Sequence, residues 1–156
     1  MKSLFAIAAL IFSGQACATS LSLDWLLVEL PSGWESHVEQ AMPAGSAFGN
    51  RVAVRRDDGA GVLLLQTYTA ETSVDDEALR RLTNIPASEP LTKDRWGDFL
   101  GYRHDHVESD LFHRTWWLAN GRNLVFVSYQ CPAEQQHIES AQIEAIVRSL
   151  MLASSR

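Results

Sequence analysis

Between Leu91 and Cys131 the sequence reads as strands laid side by side. Three turn signals interrupt the run: Gly97-Asp98, Glu108-Ser109-Asp110 and Asn120-Gly121. Asn-Gly is the strongest of them, since a type I′ turn needs positive φ at both central residues and this pair tolerates it best. A meander of three or four strands results.

The flanking segments extend that pattern. Trp25 to Leu30 is a mostly apolar run stopped by Pro31-Ser32-Gly33, and Trp34 to Val38 alternates apolar with polar residues, which suggests an opening hairpin. Phe48 to Arg55 and Val62 to Ala70 flank Asp57-Asp58-Gly59-Ala60-Gly61, a stretch suited to reversing the chain between two strands. From Ser73 to Ile85 the period changes. Val74, Ala78, Leu79, Leu82 and Ile85 recur at helical intervals, Ser73 and Asp76 have capping-box spacing, and Pro86 closes the element. After Pro132, the segment Ala133 to Leu150 places Ile138, Ala141, Ala145, Ile146 and Leu150 along one helical face, widened by Ile143 and Val147. Such a helix needs a sheet to cover. The expected class is α+β, a twisted antiparallel sheet of six or seven strands with the C-terminal helix on one face and the shorter helix elsewhere.

Met1-Lys2, the uncharged stretch Leu4 to Phe12 and the small residues Ala16-Cys17-Ala18 read as an export signal cleaved after Ala18. That leaves a single domain over 19–156 in the periplasm or outside the cell. A rival reading lipidates Cys17, but a lipoprotein signal wants Leu three residues before the Cys and Gly14 stands there. The apolar stretch is too short for a membrane helix of about 20 residues, and nothing later approaches that length, so no integral membrane segment is expected. Among the 156 residues, 13 basic side chains face 19 acidic ones, a net charge of −6. Loss of the leader removes Lys2 and no acid. So acidic a surface disfavours nucleic acid and anionic membranes as partners. Cleavage also leaves Cys131 as the one cysteine; it ends an apolar run and is expected to be buried as a small hydrophobe, with stability supplied by the core.

Three histidines form the one constellation with metal-ligand chemistry. His104 and His106 share a strand face. If Ser109-Asp110 is a two-residue turn, His106 lies opposite His113 and three imidazoles converge, a set suited to zinc. A three-residue turn pairs Asp105 with His113 instead and sends that ring to the other face. The same histidines beside Asp105 and Asp110 also suit a pH sensor. Nucleophile motifs of the Gly-x-Ser-x-Gly or His-Glu-x-x-His type do not occur. Asp57-Asp58 and Asp75-Asp76 suit a turn and a helix start better than an acid/base pair. No catalytic residue and no obligate cofactor are expected.

Five tryptophans are many for so small a domain. Adjacent Trp116 and Trp117 on one strand must face opposite sides of the sheet. An open side would make Trp117, with Phe126, Tyr102 and Leu124 beside it, a binding patch. Trp96, within Lys93-Asp94-Arg95-Trp96-Gly97-Asp98, has the charged surroundings of a protein-binding hot spot. With the hairpin acids Asp105, Glu108 and Asp110, these two tryptophans are the candidate partner-binding residues.

The order of elements resembles the PsbP-like α/β/α sandwich, through Leu30-Pro31-Ser32-Gly33-Trp34, the meander closing in Trp116 to Gly121, the run Leu124 to Tyr129, and the final helix ending Ile146-Val147-Arg148-Ser149-Leu150. The resemblance implies a role in binding or escorting other proteins, with no shared catalytic motif. The leading expectation is an exported, non-catalytic module that docks a protein with a basic surface, as an immunity or inhibitor protein or an envelope adaptor does. The alternative is a metal- or small-ligand-binding protein centred on His104, His106 and His113.

Overall fold

Ten strands and two α-helices follow one another in the computed structural model, which describes residues 18–153. In chain order they are β1 (Thr19–Leu23), β2 (Leu26–Leu30), β3 (Trp34–Gln40), β4 (Phe48–Arg56), β5 (Val62–Thr69), α1 (Asp76–Leu82), β6 (Thr92–Trp96), β7 (Phe99–Glu108), β8 (Leu111–Asn120), β9 (Asn123–Pro132), α2 (Ser140–Arg148) and β10 (Met151–Leu152). A 3-10 turn at Ala133–Gln135 precedes α2. The leader and the Cys17 alternative lie outside the described residues. Among the described residues no helix is long and apolar enough to cross a membrane.

Seven strands form one antiparallel sheet in the order β3-β4-β5-β9-β8-β7-β6. The remaining three form a small sheet, β1-β2-β10. The opening hairpin expected from Trp25–Leu30 and Trp34–Val38 is therefore absent. Pro31-Ser32-Gly33 carries the chain from one sheet to the other, and β2 pairs with β1 on one side and β10 on the other. Neither β1 nor the two-residue β10 has an apolar period long enough to announce a strand.

One face of the large sheet holds the main core. Val52, Val54, Leu63, Leu65, Val125, Val127 and Trp116 point there, beneath Leu26, Val28 and Leu30 of β2 and Ile143, Ile146, Val147 and Leu150 at the end of the chain. Each such aliphatic side chain contributes roughly 1.5–3 kcal/mol on burial, as an upper bound. On the opposite face α1 sets Leu79 against Tyr102, Ala119 and Leu124. This helix is shorter than the Ser73–Ile85 segment. Its N-cap is Asp75, whose Oδ1 accepts the Ala78 N–H at 2.7 Å, so Ser73 lies outside the cap.

α2 is also shorter than expected and turned. Ile138 is 68% exposed, Ala145 is exposed as well, and the buried stripe runs through Ile143, Ile146 and Val147. The cause is Glu139, 2% exposed. Its Oε2 accepts the Tyr129 hydroxyl at 2.8 Å and the Gly61 N–H at 3.0 Å. Anchoring that carboxylate to the sheet ends the turns before α2 and fixes which helical face turns inward. Burial pushes the Tyr129 phenol far up and raises the Cys131 thiol, which is also buried.

Candidate functional site: the β7–β8 hairpin and the open sheet face

Ser109 and Asp110 adopt φ values of +50° and +64°. Both central residues of a two-residue reversal are thus left-handed, the condition of a type I′ turn. The ladder follows from it: Glu108 pairs with Leu111, His106 with His113, and Asp105 with Arg114. Side chains two residues apart share a face, so His104, His106, Glu108 and His113 project together. The imidazoles lie in a row, with ring centroids 5.2 Å apart between His104 and His106 and 4.9 Å between His106 and His113.

The row divides into two parts. His104 is 7% exposed, and its Nε2 lies 3.1 Å from Oε2 of Glu89 in the segment after α1. Its Nδ1 is buried without a partner. His106, Glu108 and His113 reach solvent to different degrees and bring one donor atom each within 4.8 Å of one another. The expected trio therefore becomes a different one. Glu108 takes the place of His104, which is committed to Glu89. The period-two spacing from His106 to Glu108 was the available signal, and charge at a hairpin tip obscured it.

The partner-binding candidates also separate. Trp96 is 0% exposed, contrary to the expected hot spot. It ends β6 on the α2 side of the sheet, its indole N–H donates to Glu144 Oε1 at 3.0 Å, and the Arg148 guanidinium lies 5.8 Å from the ring. Of the charges around it in the sequence, Asp94 pairs with Arg148 of α2, while Lys93 pairs with Asp76 on the opposite face. Asp105 is no free anion either. Arg114 binds its carboxylate in a fork at 2.6–3.1 Å and Arg103 approaches to 3.3 Å. Glu108 and Asp110 are exposed.

Trp117 stands on the other side of the sheet, as its neighbour Trp116 is fully buried beneath α2 and the small sheet. It is half-buried, in a cross-strand row with Phe126, Gln66 and Arg51. The next row holds Thr115, Ser128 and Leu64, all partly exposed. α1 packs on β7 and β8 at one end, over Tyr102 and Leu124, while α2 packs on β2 and β6. Across β9 and β5 this face carries no helix among the described residues.

Sequence reasoning missed a cleft of about 320 Å³ between α1, β6 and the β8–β9 turn, lined by Asp76, Leu79, Lys93, Arg95 and Leu100 among others. The Lys93 ammonium at 2.8 Å and the Tyr102 hydroxyl hold the Asp76 carboxyl below the usual range. The cleft wall is thus an ion pair that fastens the first turn of α1 to the sheet.

No protein-family model and no curated protein sequence matches the chain. Solved structures do. A protein from Bacteroides thetaiotaomicron VPI-5482 superposes with a TM-score of 0.60 at 13% identity over 84% of this chain, which spans 46% of that protein's length. Cyanobacterial PsbP (CyanoP) from Synechocystis sp. PCC 6803 matches with a TM-score of 0.56 at 9% identity, over 96% of this chain and 98% of CyanoP. The chain has a PsbP-like fold. LpqN, involved in cell envelope biogenesis of Mycobacterium tuberculosis, aligns with a TM-score of 0.47 at 10% identity, over 92% of this chain and 88% of LpqN. At these identities the likeness concerns architecture, and the residues of the site are this chain's own.

Proposed function

We propose that this PsbP-like domain is a non-catalytic binding module that works outside the cytoplasm and docks a protein partner on the open face of its large sheet. One observation carries the reading. Trp117 and Phe126 stand side by side, partly exposed, where the sheet face passes out from under α1 onto β9 and β5, with one edge of the pair packed against the α1 cluster. Trp34, Trp96 and Trp116 are all buried, whereas Trp117 is partly exposed on the sheet face, ringed by polar Gln66, Thr115 and Ser128, as an anchor residue is. The net charge of −6 draws a partner with a basic surface and speeds its arrival. Immunity, inhibition and envelope adaptation are the roles such a module suits.

A photo-cross-linking amino acid at position 117, in cells that make the protein naturally, tests the reading. One discrete heavier species is expected from position 117 and none from position 145, on the exposed side of α2. Recovery of the free monomer from both positions overturns it, and a species of twice the chain's mass overturns it in favour of self-association.

A further inference from the structure

We infer that the tip of the β7–β8 hairpin is a transition-metal site of the Zn2+ class, with His106, Glu108 and His113 as its protein ligands. It stands apart from the docking reading, since Trp117 supplies no ligand. The hairpin brings three chemically compatible donors to one point. Two imidazoles and one carboxylate form a nitrogen-rich set that favours Zn2+ and its first-row neighbours over Ca2+ or Mg2+, which demand shells of oxygen. Around a tetrahedral ion with bonds of about 2.0–2.2 Å the donors sit roughly 3.3 Å apart. The present limit of 4.8 Å closes to that by side-chain torsion alone, because His106 and Glu108 are exposed and His113 partly so.

The backbone beneath is fixed. Two donors come from a cross-strand pair, the third lies two residues along the same strand, and the left-handed turn at Ser109 and Asp110 sets their register. Behind the trio, His104 is held by Glu89 and its ring backs that of His106 at 5.2 Å. The stacked ring restricts the orientations open to the His106 imidazole. The buried Nδ1 of His104 has no protein partner. Three protein ligands leave the fourth position of a tetrahedral shell to solvent or to a group from a docked protein. The site binds a metal at an exposed tip and has no apolar enclosure to tune it for hydrolysis.

Tag-free protein, freed of metal by a chelator and titrated calorimetrically with zinc chloride, should take up one equivalent, while calcium chloride should give no binding heat. His106→Ala and His113→Ala are each expected to weaken zinc uptake about tenfold or more. Glu108→Gln should weaken it too, with the side-chain shape preserved. His37→Ala, on β3 at the far edge of the large sheet, should bind as the unmutated protein does. Cobalt uptake should produce the visible absorption of a low-symmetry nitrogen–oxygen shell, and lose it in His106→Ala. Failure of the unmutated protein to bind zinc overturns the inference. So does zinc uptake that survives loss of His106 and His113 together. Circular dichroism of each variant separates a lost ligand from a lost fold.

Discussion

The two tryptophans at positions 96 and 117 show how far a side chain's surroundings in sequence differ from its surroundings in space. Trp96 has charged neighbours along the chain and none of their solvent, because Glu144 and Arg148 of α2 close over it. Trp96→Ala removes a fully buried indole and its hydrogen bond to Glu144, whose carboxylate keeps Arg148 as a partner. It should lower stability by about 3–5 kcal/mol in urea titration. Trp117→Ala should cost less, since that ring is partly exposed already, and equal losses would contradict the assignment of the two faces. The opposite facing of Trp116 and Trp117 was legible because strand alternation is a local rule. The burial of Trp96 was not legible, since it depends on a helix some fifty residues away in the chain. Glu139 was invisible for the same reason. A lone carboxylate in a polar stretch reads as solvated until Tyr129 and Gly61 are seen to hold it.

At the scale of elements, hairpins closed by tight turns were readable and pairings between distant segments were not. β4–β5, β6–β7 and β7–β8 follow their turn residues. At the β8–β9 reversal the ladder runs to Asn120 opposite Asn123, so Gly121 and Arg122 form the turn, one residue later than Asn-Gly suggests. The short helix α1 was placed by its period and misjudged at its start. Its attachment depends on Asp76, whose carboxyl bonds Lys93 of β6 and Tyr102 of β7. Because that carboxyl is held below its unfolded range, near 3.9, it stabilises the fold above that pH and the contribution fades as pH falls through the lowered value. Asp76→Asn should therefore have a lower urea midpoint than the unmutated protein at pH 7. The gap should close as pH drops below about 4, where the two side chains become alike. A gap that stays constant down to pH 3 would remove Asp76 as the fastening of α1.

At the scale of the molecule, the small sheet joins the two ends of the domain. Leu152 pairs with Leu26, and the Ala153 N–H donates to the Trp25 carbonyl at 2.7 Å. The sequence concealed this, because two residues of strand carry no period. Deleting residues 151–156 should expose one edge of β2 and remove several backbone hydrogen bonds, at about 0.5–1.5 kcal/mol each. The loss should appear as a lower melting temperature, with far-UV circular dichroism of the large sheet retained at low temperature. An unchanged melting temperature would show that β10 is decoration.

That pairing also sets a timetable. A chain that emerges amino end first presents β2 early, with β1 beside it and a bare strand edge on the other flank until residue 152 has followed. An open edge of that kind invites mispairing with other chains. That edge closes only when β10 pairs, so the small sheet is the last part of the domain to be completed.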